Sequence, residues 1–133
     1  MKAVVLDASA LMTFFERRSG AEKVEDLIVG AMRAERRLLM SVVNWGEVYC
    51  STWEASGPAR ARQLRAEIDQ LPIEVLDADF ETALLAAEIR ARYRLHFMDS
   101  FAAALGAAHH AAVATCDKDF NRLRNVLELL WIN

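Results

Sequence analysis

The sequence predicts an α/β fold: a single domain over residues 1–133, with a central parallel sheet of about five strands and helices on both faces. Three observations carry this. Short apolar runs alternate with longer amphipathic stretches along the whole chain. The runs are apolar throughout, as strands covered on both faces are. The chain has 133 residues and 54 % hydrophobic content, which suits one sizeable core.

Taken in order, "KAVVL" (2–6) reads as a buried strand and "ASALMTFFER" (8–17) as a helix. Residues 21–36 place apolar side chains at 24, 27, 28, 31 and 32, one stripe of a helix. "LLMS" (38–41) is a second strand. "VVNWGEVYCSTWEA" (42–55) is a helix with Trp45, Val48, Tyr49, Thr52 and Trp53 on one face. Gly57-Pro58 ends it and opens another over 59–70. "IEVL" (73–76) is a third strand, and 79–93 a helix capped by Asp79. "MDSFAAALGAAHH" (98–110) is a helix so rich in alanine that it must pack closely on something. "AVAT" (112–115) and "VLELLW" (126–131) are the last strands. There is no internal repeat, linker or low-complexity tract.

The net charge of −3 argues against a protein that coats DNA. It does not exclude a nucleic-acid enzyme, because a metal ion supplies positive charge. Cys50 and Cys116 have no CxxC spacing and read as reduced, buried small residues. Asp7 interrupts the first apolar run before it becomes a signal-peptide core. "FAAALGAAHHAAVATC" (101–116) is broken by Gly106, His109 and His110 and is too polar to span a bilayer. A cytoplasmic protein with no membrane partner is expected.

Four acids stand out. Asp7 ends the first strand and Asp117 follows the fourth. Glu47 lies in the third helix, off its Trp45/Tyr49/Trp53 face, and Asp99 opens the alanine helix. Asp7, Asp99 and Asp117 also suit helix caps, and Glu47 suits a solvated surface. Asp77 and Asp79 follow a strand in the same way and are assigned only to capping. If the first and fourth strands are neighbours, Asp7 and Asp117 meet in the crevice where strand order reverses. Carboxylates gathered there repel each other and call for a cation, and all-oxygen ligands suit Mg²⁺ or Mn²⁺. His96, His109 and His110 offer no zinc spacing.

"VVLDASAL", "SVVNWGEVYCS", "FMDSFAAALG" and "VATCDKDF", in this order, resemble the four motif regions of PIN domains, most nearly the VapC-type ribonuclease toxins of toxin–antitoxin modules. The resemblance covers essentially the whole chain. It implies a Mg²⁺- or Mn²⁺-dependent endoribonuclease with Asp7, Glu47, Asp99 and Asp117 as its catalytic, metal-holding quartet. Ser9 and Thr115 match hydroxyls beside the first and last acids, and Asp119 a supporting acid. Asn44 and Ser100 lie within the motifs. The family also implies a homodimer and a cognate VapB-type antitoxin. Arg17, Arg18, Arg94 and Lys118, with Arg90 and Arg92, would carry the RNA phosphates. Phe14, Phe15, Leu27, Ile28 and Met32 are candidates for a groove that takes an apolar segment of the antitoxin. Two rival readings stand beside this one: a non-catalytic PIN-like interaction module, and a receiver-type phosphoacceptor domain using Asp77.

Overall fold

A strand that is apolar on both sides must be covered on both faces, and the strands here are covered in that way. The computed structural model describes residues 2–133. β1 (Ala3–Leu6) and β4 (Ala112–Thr115) are buried along their whole lengths. β2 (Arg37–Ser41) is buried after its first residue. β3 (Ile73–Leu76) and β5 (Leu129–Trp131) are partly exposed because they are the sheet's edges. The order is β3-β2-β1-β4-β5, with every neighbouring pair parallel.

Alternate strand residues feed two cores. Val4, Leu6, Leu38, Met40 and Ala114 pack under α1 (Ala8–Phe15), α2 (Ala21–Met32) and α3 (Val42–Asp69). Val5, Leu39 and Val113 pack on the other face, under α4 (Phe80–Tyr93) and α5 (Phe97–His109). The alanines of α5 let its backbone press on the sheet. A Cβ added at Gly106 would stand 2.7 Å from Val113 Cγ2, so only hydrogen fits there.

The chain steps outward from β1 to β2 to β3, then crosses back to lay β4 on the other side of β1. Strand order therefore reverses between β1 and β4, and their carboxyl ends open a crevice. The Asp7 N–H already bonds to the Ala114 carbonyl at 3.2 Å. β3 lies at the edge, so Asp77 ends a strand two places from β1. That placement removes the receiver-type reading, which needs an acid beside the central crevice.

Several sequence expectations are corrected. The helix expected over 21–36 stops at Met32, because Ala34 turns left-handed (φ 57°) to enter β2. The first helix stops at Phe15 in the same manner, before Arg17 (φ 55°). The helices expected at 42–55 and 59–70 are two arms of α3, kinked where Gly57 takes φ 87° ahead of Pro58. The strand expected at 126–131 keeps only Leu129–Trp131, since β4 offers partners for those residues alone.

The buried stripe of α3 is Asn44, Val48 and Thr52, so the aromatic residues stand about one residue round the helix from it. Trp45 and Tyr49 stack with centroids 5.4 Å apart, and Trp53 is 42 % exposed with Arg62 over its ring. Cys50 is exposed and Cys116 half-buried, not the buried pair expected, and both are free thiols. Of the five residues expected to line an apolar groove, Leu27 and Ile28 are core, Phe14 and Phe15 are half-buried against that core, with Phe15 lining a small hollow beside Met12 and Leu64, and Met32 is 71 % exposed.

Candidate active site

Asp7 is almost fully buried, at 1 % exposure, at the end of β1. Its carboxylate accepts hydrogen bonds from the Ala10 N–H at 2.8 Å, the Ser9 hydroxyl at 2.7 Å and the Thr115 hydroxyl at 2.5 Å. Both hydroxyls have a second task. Ser9 Oγ accepts the N–H of Cys116, and Thr115 Oγ1 accepts the N–H of Asp117, each at 2.9 Å. With a lone pair of each hydroxyl taken by an N–H, its proton is directed at Asp7. Two short side chains thus stitch the loop after β4 to the end of β1 and fix where Asp117 stands.

The capping roles are real at two of the acids. Asp7 caps α1, and Asp117 caps a 3₁₀ turn (Lys118–Leu123) by accepting the Asp119 N–H at 2.9 Å. Asp99 is no cap. It lies in the first turn of α5, half-buried, where the helix's partial positive charge favours a carboxylate. Glu47, half-buried on α3, is met by Asn44 Nδ2 at 3.4 Å. The same Nδ2 donates to the Met98 carbonyl at 2.9 Å, so the buried Asn44 ties α3 to the start of α5. Sequence reasoning left Asn44 undecided, because its value lies in the Met98 carbonyl, which has no sequence signature. Asn44 Oδ1 is buried without a partner. Ser100 is buried and donates to the His96 carbonyl at 3.0 Å, which makes it part of the helix start.

Two of the four acids feel the others electrostatically. Burial raises the Asp7 carboxyl from 3.8 to about 6, against the opposing bonds from Thr115, Ala10 and Ser9, and the Asp117 charge adds to the rise. Asp99 is raised to about 7, by burial first and then by the charges of Asp117, Asp7 and Glu47. Mutual repulsion of this kind requires that the carboxylates share one place.

A hollow of about 470 Å³ is lined by three of the four acids, Glu47, Asp99 and Asp117, with Ser9, His96 and Arg18, while the buried Asp7 does not line it and meets it through Ser9. Sequence reasoning weighed His96 only as a zinc ligand. Its spacing, three residues before Asp99, was the available signal. Arg18 pairs with Glu16. Lys118 lines a neighbouring hollow. Arg17 and Arg94 line neither of these hollows, and Arg94 ends α4, where its carbonyl accepts a bond from Arg122. Asp119 pairs with Arg122 at 3.4 Å rather than turning into the hollow.

The donors suit a hard divalent cation: carboxylate oxygens, a serine hydroxyl and no sulfur or imidazole among the four acids' immediate partners. The raised carboxyls supply the reason, since a cation relieves both desolvation and repulsion. Among the described residues, no three acids, histidines or cysteines stand close enough together to form a coordination set.

These features define an α/β domain with an acidic hollow at the switch point of a five-stranded parallel sheet. The PIN domain profile matches residues 4–126, and the chain belongs to the PIN domain family. Among solved structures, the chain is similar to the DNA-bound VapBC of Salmonella typhimurium (TM-score 0.76, 18 % identity, 100 % of each chain). It is similar also to Rickettsia felis VapBC2 bound to a promoter DNA fragment (0.77, 15 %, 97 % of this chain and 98 % of that one). A third is Mycobacterium tuberculosis VapC20, described as a sarcin-ricin loop cleaving toxin (0.65, 17 %, 89 % of this chain and 92 % of that one). No curated protein matches the sequence.

Proposed function

We propose that this chain is a metal-dependent endoribonuclease and the toxin of a type II toxin–antitoxin pair, acting in the cytoplasm. The observation that carries the reading is that Glu47, Asp99 and Asp117 line one open hollow at the β1/β4 switch point, with Ser9, which bonds to the buried Asp7, lining it beside them. Membership of the PIN family supports it. So do the structural relatives, solved as toxin–antitoxin complexes or described as an RNA-cleaving toxin. Among the described residues no helix is long and apolar enough to cross a membrane.

Asp7, Asp99 and Asp117 would hold Mg²⁺ (or Mn²⁺), directly or through water. When bound, the ion activates water and neutralises charge on the phosphoryl oxygens. The chain's residues do the rest. Ser9 and Thr115 keep Asp7 from turning away, and the helix start keeps Asp99 in the hollow. Glu47, tethered by Asn44, is placed to accept a hydrogen bond from the attacking water. Arg18 at the wall and Lys118 beyond Asp117 hold phosphates on either side of the cleaved bond.

A VapB-type antitoxin is the proposed protein partner, and a homodimer the proposed assembly. Phe80, Leu84 and Phe97, on the packed pair α4 and α5, are 78, 48 and 47 % exposed and offer an apolar face to a second copy.

Cleavage of single-stranded RNA with Mg²⁺ or Mn²⁺, and none after dialysis against EDTA, is the expected result. Equal cleavage in EDTA would remove the metal. Failure to co-purify the product of the neighbouring reading frame would remove the toxin assignment and leave the nuclease one.

A further inference from the structure

A second hollow, of about 340 Å³, lies next to the acidic one and is lined by Lys118, Asn121, Trp131 and Asn133. Its position is set by the same strand ends. Trp131 pairs with Thr115 in the β4–β5 register, and Thr115 is the residue that holds Asp7. Lys118 is the residue after Asp117. The hollow therefore begins one residue after Asp117 on one segment and beside Thr115, the partner of Asp7, on the other.

Its chemistry differs from that of its neighbour. Trp131 is half-buried, packed against the α5-side core yet still lining the hollow. Packing against the core restrains the side chain while part of it remains open to the hollow. Asn121 and Asn133 are exposed amides, each with donors and an acceptor. Lys118 is exposed and, among the described residues, is the one cation that lines the hollow. An aromatic ring, two amides and a lysine together are the recognition set for an unpaired nucleotide: stacking, edge hydrogen bonds and phosphate contact.

We propose that this hollow takes the nucleobase flanking the cleaved phosphate, stacked on Trp131, with its edge read by Asn121 and Asn133 and its phosphate held by Lys118. The assignment rests on the RNA-cleaving reading above and adds a base preference to it. A stacked base is recognised in single-stranded RNA, because in a duplex the base is not free to enter.

The test uses the full chain carrying Trp45→Phe and Trp53→Phe, which leaves Trp131 as the single tryptophan. In EDTA, so that nothing is cut, Trp131 emission is followed during titration with single-stranded ribohexamers of uracil, cytosine or adenine. An abasic hexamer with the same phosphates is the control. Saturable quenching by the base-bearing hexamers and none by the abasic one is expected. Asn121→Ala should change the ranking of the three by on the order of tenfold. Separately, in otherwise native chain and with metal present, Trp131→Phe should raise KM on the order of tenfold while kcat holds. Phenylalanine keeps the core packing, and Asn121 is exposed, so neither change threatens the fold.

Equal quenching by the abasic hexamer would overturn the stacking. RNA cleavage with no quenching, and with an unchanged cut pattern in Asn121→Ala, would overturn the subsite while leaving the nuclease intact. Base-dependent quenching without any cleavage would discard the nuclease and overturn the assignment to a cleavage-flanking base, leaving a nucleotide-binding hollow alone. Quenching by a co-purified protein partner and by no hexamer would overturn the proposal and assign the hollow to a protein interface.

Discussion

Replacing Asp7 by asparagine should invert the order of stability between low and high pH. In the cation-free protein the carboxyl is raised from 3.8 to about 6. Between those values the folded state holds a proton that the unfolded chain has released, so stability falls as pH rises through the window. At about 1.4 kcal/mol per tenfold, the ionised Asp7 costs the wild type about 3 kcal/mol above pH 6. Asparagine carries no such cost. It keeps one oxygen for the Ala10 N–H and the Ser9 hydroxyl. It faces Thr115 with an amide donor, however, so the Thr115 hydroxyl proton loses the acceptor it had in Asp7. That conflict costs about 1–2 kcal/mol. Asp7→Asn should therefore be less stable by about 1–2 kcal/mol near pH 4 and more stable by about the same near pH 8, crossing in between. Urea unfolding in EDTA, followed by far-ultraviolet circular dichroism across that range, measures it. At saturating Mn²⁺ the order at pH 8 should reverse again, because only the intact site gains binding free energy. A stability difference that does not change with pH would refute the elevated carboxyl and the electrostatic argument built on it.

Thr115→Val removes a bond to Asp7 and the acceptor for the Asp117 N–H together; urea unfolding should show a loss of about 1–3 kcal/mol. Its cleavage–pH profile should shift to higher pH, since Asp7 loses a bond that favours its charged form. Glu47→Gln should lower RNA cleavage by about 100-fold or more; its melting temperature in EDTA should not fall, since one charge leaves a repelling set. Gly106→Ala sets two effects against each other. Alanine is better in a helix by about 1 kcal/mol, but its Cβ would stand 2.7 Å from Val113, so a net loss of about 1–3 kcal/mol on unfolding is expected.

The helices and strands were legible because their signals are local. The β1 and β4 runs are apolar on both sides and are covered on both faces. Alanine in α5 marks close approach, and Gly57-Pro58 marks the kink in α3. The positions of Asp7 and Asp117 at strand ends were legible too, since a carboxylate is costly to bury within a strand. Less visible was which side of α3 the core would take. Of the face read as Trp45, Val48, Tyr49, Thr52 and Trp53, only Val48 and Thr52 are buried, and Asn44 joins them in place of the aromatic residues. Asn44 is there because a carbonyl 54 positions along the chain needs a donor. Leu27 and Ile28 likewise looked available to a partner until the sheet was seen to cover them.

By itself, then, the sequence determined the alternation of elements, the burial of the central strands and the chain positions of the four acids. Each follows from residues within a few positions of one another. Only the tertiary structure decided that β1 and β4 are neighbours, that β3 is an edge, and that Thr115 reaches across 108 positions to Asp7. Those facts depend on strand pairing, in which backbone hydrogen bonds are nearly the same whichever strands meet. The choice falls to how both faces are covered at once, and no single stretch of sequence contains that condition.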